Sequence, residues 1–123
     1  MRLNYDCIRD ILLYIEANTT STKRNISIKI LLESLNQKYD EDTIIYHIYQ
    51  IESAGLVYNV LYAGNRPIVI SDLSPEVHEY VNNIRDNKVW KAIKGKLGEV
   101  SSASLPLLIE MAPEIIKKMI FKS

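Results

Sequence analysis

The chain is expected to adopt an α+β fold, a winged helix-turn-helix with a C-terminal helical extension. Three observations in its 123 residues predict it. Apolar residues recur at helical period in two segments near the N-terminus. A third amphipathic segment starts at Asp40, stops at Gly55 and feeds two strand-like runs joined at Ala63-Gly64-Asn65. Those runs give way to Ser74-Pro75, a helix start, and to further helical pattern. Three helices and a hairpin make the winged-helix order, with helices two and three as the helix-turn-helix.

Ile8, Ile11, Leu12 and Ile15 fall at i, i+3, i+4 and i+7, one buried helical stripe. Asn4 suits the N-cap, so the first helix is expected over Tyr5 to Ala17, with a polar loop from Asn18 to Asn25. Ile28, Leu31, Leu32 and Leu35 repeat the stripe after Ser27, another favoured cap, in a short helix ending near Asn36. Asp40 caps the third helix. Ile44, Ile45, Ile48 and Ile51 share one arc of it, and Thr43, Tyr46, Gln50 and Ser53 share the opposite face, with His47 and Tyr49 at the flanks. Gly55 stands where a left-handed C-terminal residue is expected.

Leu56 to Tyr62 and Pro67 to Ser71 are rich in Val, Ile, Leu and Tyr, as strands are. Pro67 has no N–H to donate and is expected at the start of an edge strand. Val77, Tyr80, Val81 and Ile84 give the next helix its buried side, with a break near Asp86-Asn87. Trp90, Ile93 and Leu97 then resume a stripe up to Gly98, and Glu99 to Ser104 reads as a polar linker. Leu105, Leu108, Ile109, Ala112, Ile115, Ile116, Met119 and Ile120 lie on one broad side of a terminal helical segment, which Pro113 should kink or restart. Residues 1–72 therefore read as the winged-helix core with its β-hairpin wing, and residues 73–123 as C-terminal helices.

Hydrophobic residues make up 47% and charged residues 24%, a composition too apolar for disorder. The single cysteine, Cys7, rules out an internal disulfide and suits a reducing compartment. No apolar run reaches membrane-spanning length, and a cytoplasmic location without membrane association is expected. Lys and Arg total 15, as do Asp and Glu, so net charge gives no pull toward nucleic acid. The one local bias is Arg85, Lys88, Lys91, Lys94 and Lys96 against the single acid Asp86.

In a helix-turn-helix the second helix of the motif enters the major groove, and its N-terminal residues meet base edges. Thr43, Tyr46, His47 and Gln50 could supply hydrogen bonds there, Gln being a natural reader of adenine. Arg66 at the wing tip, with Lys23 and Arg24 in the first loop, could hold phosphates. Against this, Asp40, Glu41 and Asp42 crowd the helix entrance where phosphate usually docks, and an uncharged, solvated scaffold face is the plainer reading. Arg85, Lys88, Lys91 and Lys94 form a ridge able to track a nucleic-acid backbone, or equally the solvated side of an amphipathic helix. The C-terminal apolar side (Leu105, Leu108, Ile109, Ile116, Met119, Ile120) suits either a homodimer interface or packing within the chain.

Cys7, His47 and His78 lie on three separate predicted helices without ligand-like or nucleophile-base spacing, and no phosphate-binding glycine motif is present. No enzyme, metal or cofactor is expected. The expected function is a DNA-binding protein of transcription-regulator type acting on double-stranded DNA as a homodimer. The alternative is a protein–protein interaction module on the same scaffold, for example a phage product that binds a host protein.

The chain resembles a small family of bacterial and phage proteins grouped as a winged-helix domain of unknown function. The likeness rests on Tyr5 to Glu16, on Tyr46-His47-Ile48 with Glu52-Ser53-Ala54-Gly55-Leu56, and on Leu73-Ser74-Pro75-Glu76 with His78-Glu79. It continues through Asn83-Ile84-Arg85-Asp86 and Val89-Trp90, and Val77 departs from the glycine expected there. The resemblance implies a winged-helix fold and frequent phage or prophage context. More distantly, the Ala54-Gly55-Leu56 step and the Leu73-Ser74-Pro75-Glu76 start look like MarR-type and PadR-type regulators, which usually carry more basic residues around the motif.

Overall fold

The structure, a computed structural model, describes residues 2–97 together with positions 109, 113, 114 and 117. The chain divides into two compact units, Met1–His78 and Glu79–Ser123. The first unit runs α1 (Tyr5–Asn18), β1 (Asn25–Ser27), α2 (Ile28–Leu35), α3 (Glu41–Ser53), β2 (Val60–Ala63) and β3 (Arg66–Ser71). Helix α4 (Pro75–Arg85) starts in it, and α5 (Asn87–Leu97) belongs to the second unit. Five helices and a three-stranded antiparallel sheet, among the described residues, follow the winged-helix order.

Helices α1 to α5 form where their apolar stripes place them, and the caps expected at Asn4 and Asp40 are made. Asn4 is extended, and its side chain accepts the Cys7 N–H at 3.1 Å, satisfying one of the unpaired donors at the start of α1. Asp40 does the same for α3 by accepting the Thr43 N–H at 2.7 Å. The end of α3 is a Schellman closure: Leu56 N–H reaches the Ile51 carbonyl, Gly55 N–H reaches the Glu52 carbonyl, and Gly55 takes φ +74°. Glycine, which has no β-carbon, favours that left-handed position. Helix α2 begins at Ile28, and the Ser27 side chain makes no cap hydrogen bond.

The core gathers Ile8, Ile11, Leu12 and Ile15 from α1, Ile28 and Leu31 from α2, and Ile44, Ile48 and Ile51 from α3. Helix α1 packs on both α2 and α3. The sheet adds Ile26, Val60 and Ile70, and Leu56, Val57 and Leu73 close the edge. Each such side chain contributes about 1.5–3 kcal/mol by leaving water, which is why short helices with modest propensity hold together.

Three strand expectations are corrected. Asn25 to Ser27, read partly as loop and partly as cap, is a third strand, with Ile26 opposite Ile70 and Ser27 opposite Val69. Three residues carry almost no local strand signal, and their pairing with β3 creates the strand. Strand β3 is consequently central in the order β1-β3-β2, so Pro67 does not sit on an edge strand. It is tolerated because β1 stops at the Ser27–Val69 pair, leaving β2 as the only strand that pairs with Pro67 among the described residues. Strand β2 is also shorter than the apolar run Leu56 to Tyr62, and Val57 pairs with Leu73 as an isolated bridge.

In the second unit Tyr80, Val81, Ile84, Trp90 and Ile93 are buried. The expected break at Asp86-Asn87 is present. The Asp86 carboxylate accepts the Lys88 and Val89 N–H groups, at 2.8 and 3.1 Å, and so caps α5. The linker Glu99 to Ser104 and most of the terminal apolar side (Leu105, Leu108, Ile116, Met119, Ile120) lie outside the described residues. Ile109 is a half-buried helical position.

Candidate nucleic-acid interface

Helix α3 stands in the recognition position of the helix-turn-helix. Thr43, Tyr46 and Gln50 are half-buried along it, and no charged residue occurs from Thr43 to Ile51. The Thr43 hydroxyl and backbone N–H both serve the Asp40 carboxylate, and these hydrogen bonds hold its pKa below the ordinary carboxylate value. Tyr46 meets the His47 ring edge-on, with centroids 5.0 Å apart.

His47, expected among the base-reading residues, is a core residue instead. It is 1% exposed. Its Nε2 accepts the Asn4 backbone N–H at 2.7 Å, and its Nδ1 lies 2.7 Å from the Thr43 carbonyl oxygen. The imidazole therefore ties the start of α1 to the first turn of α3. At about 100° per residue His47 lies about 40° from the buried Ile51 and about 60° from the buried Ile44, and the apolar arc proves wide enough to include it.

The wing is strapped to α3 by tyrosines. Tyr49 on α3 stacks on Tyr62 of β2, with centroids 6.0 Å apart and planes inclined by 17°. The Tyr49 hydroxyl donates to the Asn65 carbonyl at the turn, and the Tyr62 hydroxyl donates to Glu52. Desolvation, followed by that bond to Glu52, pushes the Tyr62 pKa up. Sequence reasoning placed Tyr49 only at a flank and missed Tyr62. The available signal was the recurrence of tyrosine at 46 and 49 on α3, at 58 in the connection and at 62 on β2.

The expected phosphate-holding groups have acidic neighbours. Arg66, at the start of β3, forms an ion pair with Glu41 in the first turn of α3; the two side chains are 59% and 51% exposed. A pair so exposed contributes little to stability and exchanges readily with solvent or another anion. The Arg24 guanidinium lies 5.0 Å above the Tyr58 ring, with its Nε 4.0 Å from Asp72. Asp72 is already occupied by the Leu73 N–H and the Thr19 hydroxyl, at 2.7 and 3.1 Å, and His78 Nε2 stands 4.0 Å away. Lys23 is exposed in a turn closed by Thr20. The structure thus brings Thr43, Tyr46 and Gln50 onto one helix with Arg66 beside its entrance, whereas Lys23 and Arg24 belong to the loop before β1.

In the second unit Arg85, Lys88, Lys91 and Lys94 are exposed, and α5 carries four lysines without an acid. Among the described residues no three His, Cys, Asp or Glu side chains converge as a metal site. Cys7 is fully buried in α1, and desolvation, aided by Asp10, pushes its thiol pKa up to about 12. No helix among the described residues is long and apolar enough to cross a membrane.

The first unit has the element order and sheet of a winged helix. The chain belongs to the family described as hypothetical protein DUF2513, a domain of unknown function, whose model matches residues 2–104. An uncharacterised protein of Haemophilus influenzae is 28% identical over 123 residues, covering 98% of this chain and 99% of the relative. No solved structure matches.

Proposed function

We propose that this is a winged-helix DNA-binding protein of transcription-regulator type, in which α3 meets the major groove of double-stranded DNA. One observation carries the reading. The helix in recognition position keeps Thr43, Tyr46 and Gln50 half-exposed and uncharged, next to a wing held in place by the Tyr49–Tyr62 stack. Tyr46 and Gln50 read base edges. Arg66 holds a phosphate by exchanging its exposed partner Glu41 for the DNA backbone, and the α5 lysines add affinity that falls with salt. A homodimer through the C-terminal apolar side would match a two-fold operator, as phage-type repressors use.

The test is binding of the full chain to random-sequence duplex DNA near 50 mM salt, followed by salt titration, since non-specific affinity is largest at low salt. Binding that weakens as salt rises, and that Gln50→Ala or Arg66→Ala reduces, supports the reading. Absence of binding at that salt overturns it.

A second reading, a protein-interaction module on the same scaffold, is favoured by the acids. Asp40, Glu41 and Asp42 crowd the α3 entrance, while Glu41 and Asp72 already neighbour the two arginines expected to hold phosphate. Failure of the duplex assay moves the balance to it.

A further inference from the structure

We propose that the groove between the first turns of α2 and the start of β3 docks a protein segment carrying a large apolar side chain next to a carboxylate. This does not depend on α3 meeting DNA. The groove exists because β1 is only three residues long. Its pairing with β3 ends at Ser27–Val69, where the chain turns into α2, so residues 66–68 of β3 continue past it with no strand on that side. The space left is about 430 Å³, within the range of about 300–1,000 Å³ that takes a side-chain-sized to drug-sized group.

Its chemistry specifies the occupant. Ile28, Leu32, Pro67 and Ile68 make an apolar surface, and Ile68, skipped by the register shift that sets Leu61 opposite Val69 and Tyr62 opposite Pro67, remains 45% exposed. Lys29 and Arg66 flank that surface, and no acid lines it. Lys29 makes no ion pair among the described residues, so an incoming carboxylate displaces only water. A second cavity of about 230 Å³ shares Lys29, Leu32 and Arg66 and adds Glu33, Glu41 and Ile44. Lys29 lines both cavities and Ile68 only the larger one, so the segment sets its carboxylate at Lys29 and its apolar side chain against Ile68. Pro67, which lacks an N–H, removes one backbone donor from this part of β3 and favours docking through side chains over strand addition.

The test uses the full chain and a fluorescein-labelled octapeptide alternating Asp with Leu or Phe, alongside its counterpart with Lys at every Asp. Fluorescence anisotropy should show the acidic peptide binding about tenfold or more tightly than the basic one. Ile68→Glu should weaken the acidic peptide about tenfold, and Lys29→Glu should invert the preference in favour of the basic peptide. Leu61→Glu, at an exposed position on β2, should change neither. Both groove substitutions are at exposed positions, so unchanged melting temperatures separate loss of the site from loss of the fold. The proposal is overturned if the acidic peptide does not bind, or if Lys29→Glu leaves the charge preference as it was. It is also overturned if Ile68→Glu changes the oligomeric state in light scattering while no peptide binds, because the groove is then an interface between copies of the chain.

Discussion

The imidazole of His47 accepts a hydrogen bond from Asn4 at Nε2 and faces the Thr43 carbonyl at Nδ1, an arrangement that the neutral Nδ1–H tautomer satisfies. Protonation would set an Nε2–H against the Asn4 N–H. Burial lowers the His47 pKa from its ordinary 6.5, partly opposed by the bond to Thr43. The unfolded chain therefore takes up a proton at a higher pH than the folded one. The contribution of His47 is complete above about pH 6.5, declines as pH falls below it, and stops declining below the folded pKa. Urea unfolding at pH 7.5, 6.5 and 5.5 should show the midpoint dropping across this window, and His47→Gln should remove that part of the drop. The substitution should itself cost about 1–3 kcal/mol at pH 7.5, because two backbone groups lose a buried partner. A helical wheel located His47 at the border of the apolar arc. Only the approach of Asn4 from α1 decided that the ring turns inward.

At the scale of elements, the closure of α3 and its tie to the wing carry separate predictions. Gly55 holds φ +74°, and an added β-carbon would meet nothing within 4 Å. Gly55→Ala should therefore cost about 1 kcal/mol through backbone strain alone, read as a lower denaturation midpoint with an unchanged m-value. Glu41→Gln frees Arg66 and removes one acid from the α3 entrance. If α3 meets DNA, that variant should bind random duplex several-fold more tightly near 50 mM salt with a nearly unchanged melting temperature, since the exposed pair adds little stability. Weaker binding by Glu41→Gln would mean that Arg66 needs its partner to be positioned. The helices were legible because caps and stripes are local: Asn4, Asp40 and Gly55 each act within a turn of their own position. Strand β1 was not, because a three-residue strand exists only through its partner. The Tyr49–Tyr62 stack was missed for the same reason, since it joins residues from a helix and a strand whose approach angle no periodicity encodes.

For the whole molecule, the equal sums of basic and acidic residues conceal an uneven placement. The first unit sets Asp40, Glu41 and Asp42 at the α3 entrance and Asp72 and Glu41 beside Arg24 and Arg66, while the charged residues of α5 in the second unit are all lysines. Proposed dimerisation through the terminal apolar side is checked by light scattering across a range of concentrations. The wild-type chain should run as a dimer, and Ile116→Glu should shift it toward monomer while the circular dichroism of the helices is retained. A monomer at every concentration would leave the two-fold operator without support.

Among the described residues, the sequence by itself determined helices α1 to α5, the caps at Asn4 and Asp40, the glycine stop, the turn and the winged-helix order, because each follows from period and from short-range hydrogen bonding. Tertiary structure decided the rest: that three residues become a strand, that β3 is central, that His47 is core, and that Arg66 faces Glu41. Those outcomes depend on which side chains meet after the elements pack. Meetings between residues as far apart as Asn4 and His47, or Ile26 and Ile70, leave no mark in local pattern.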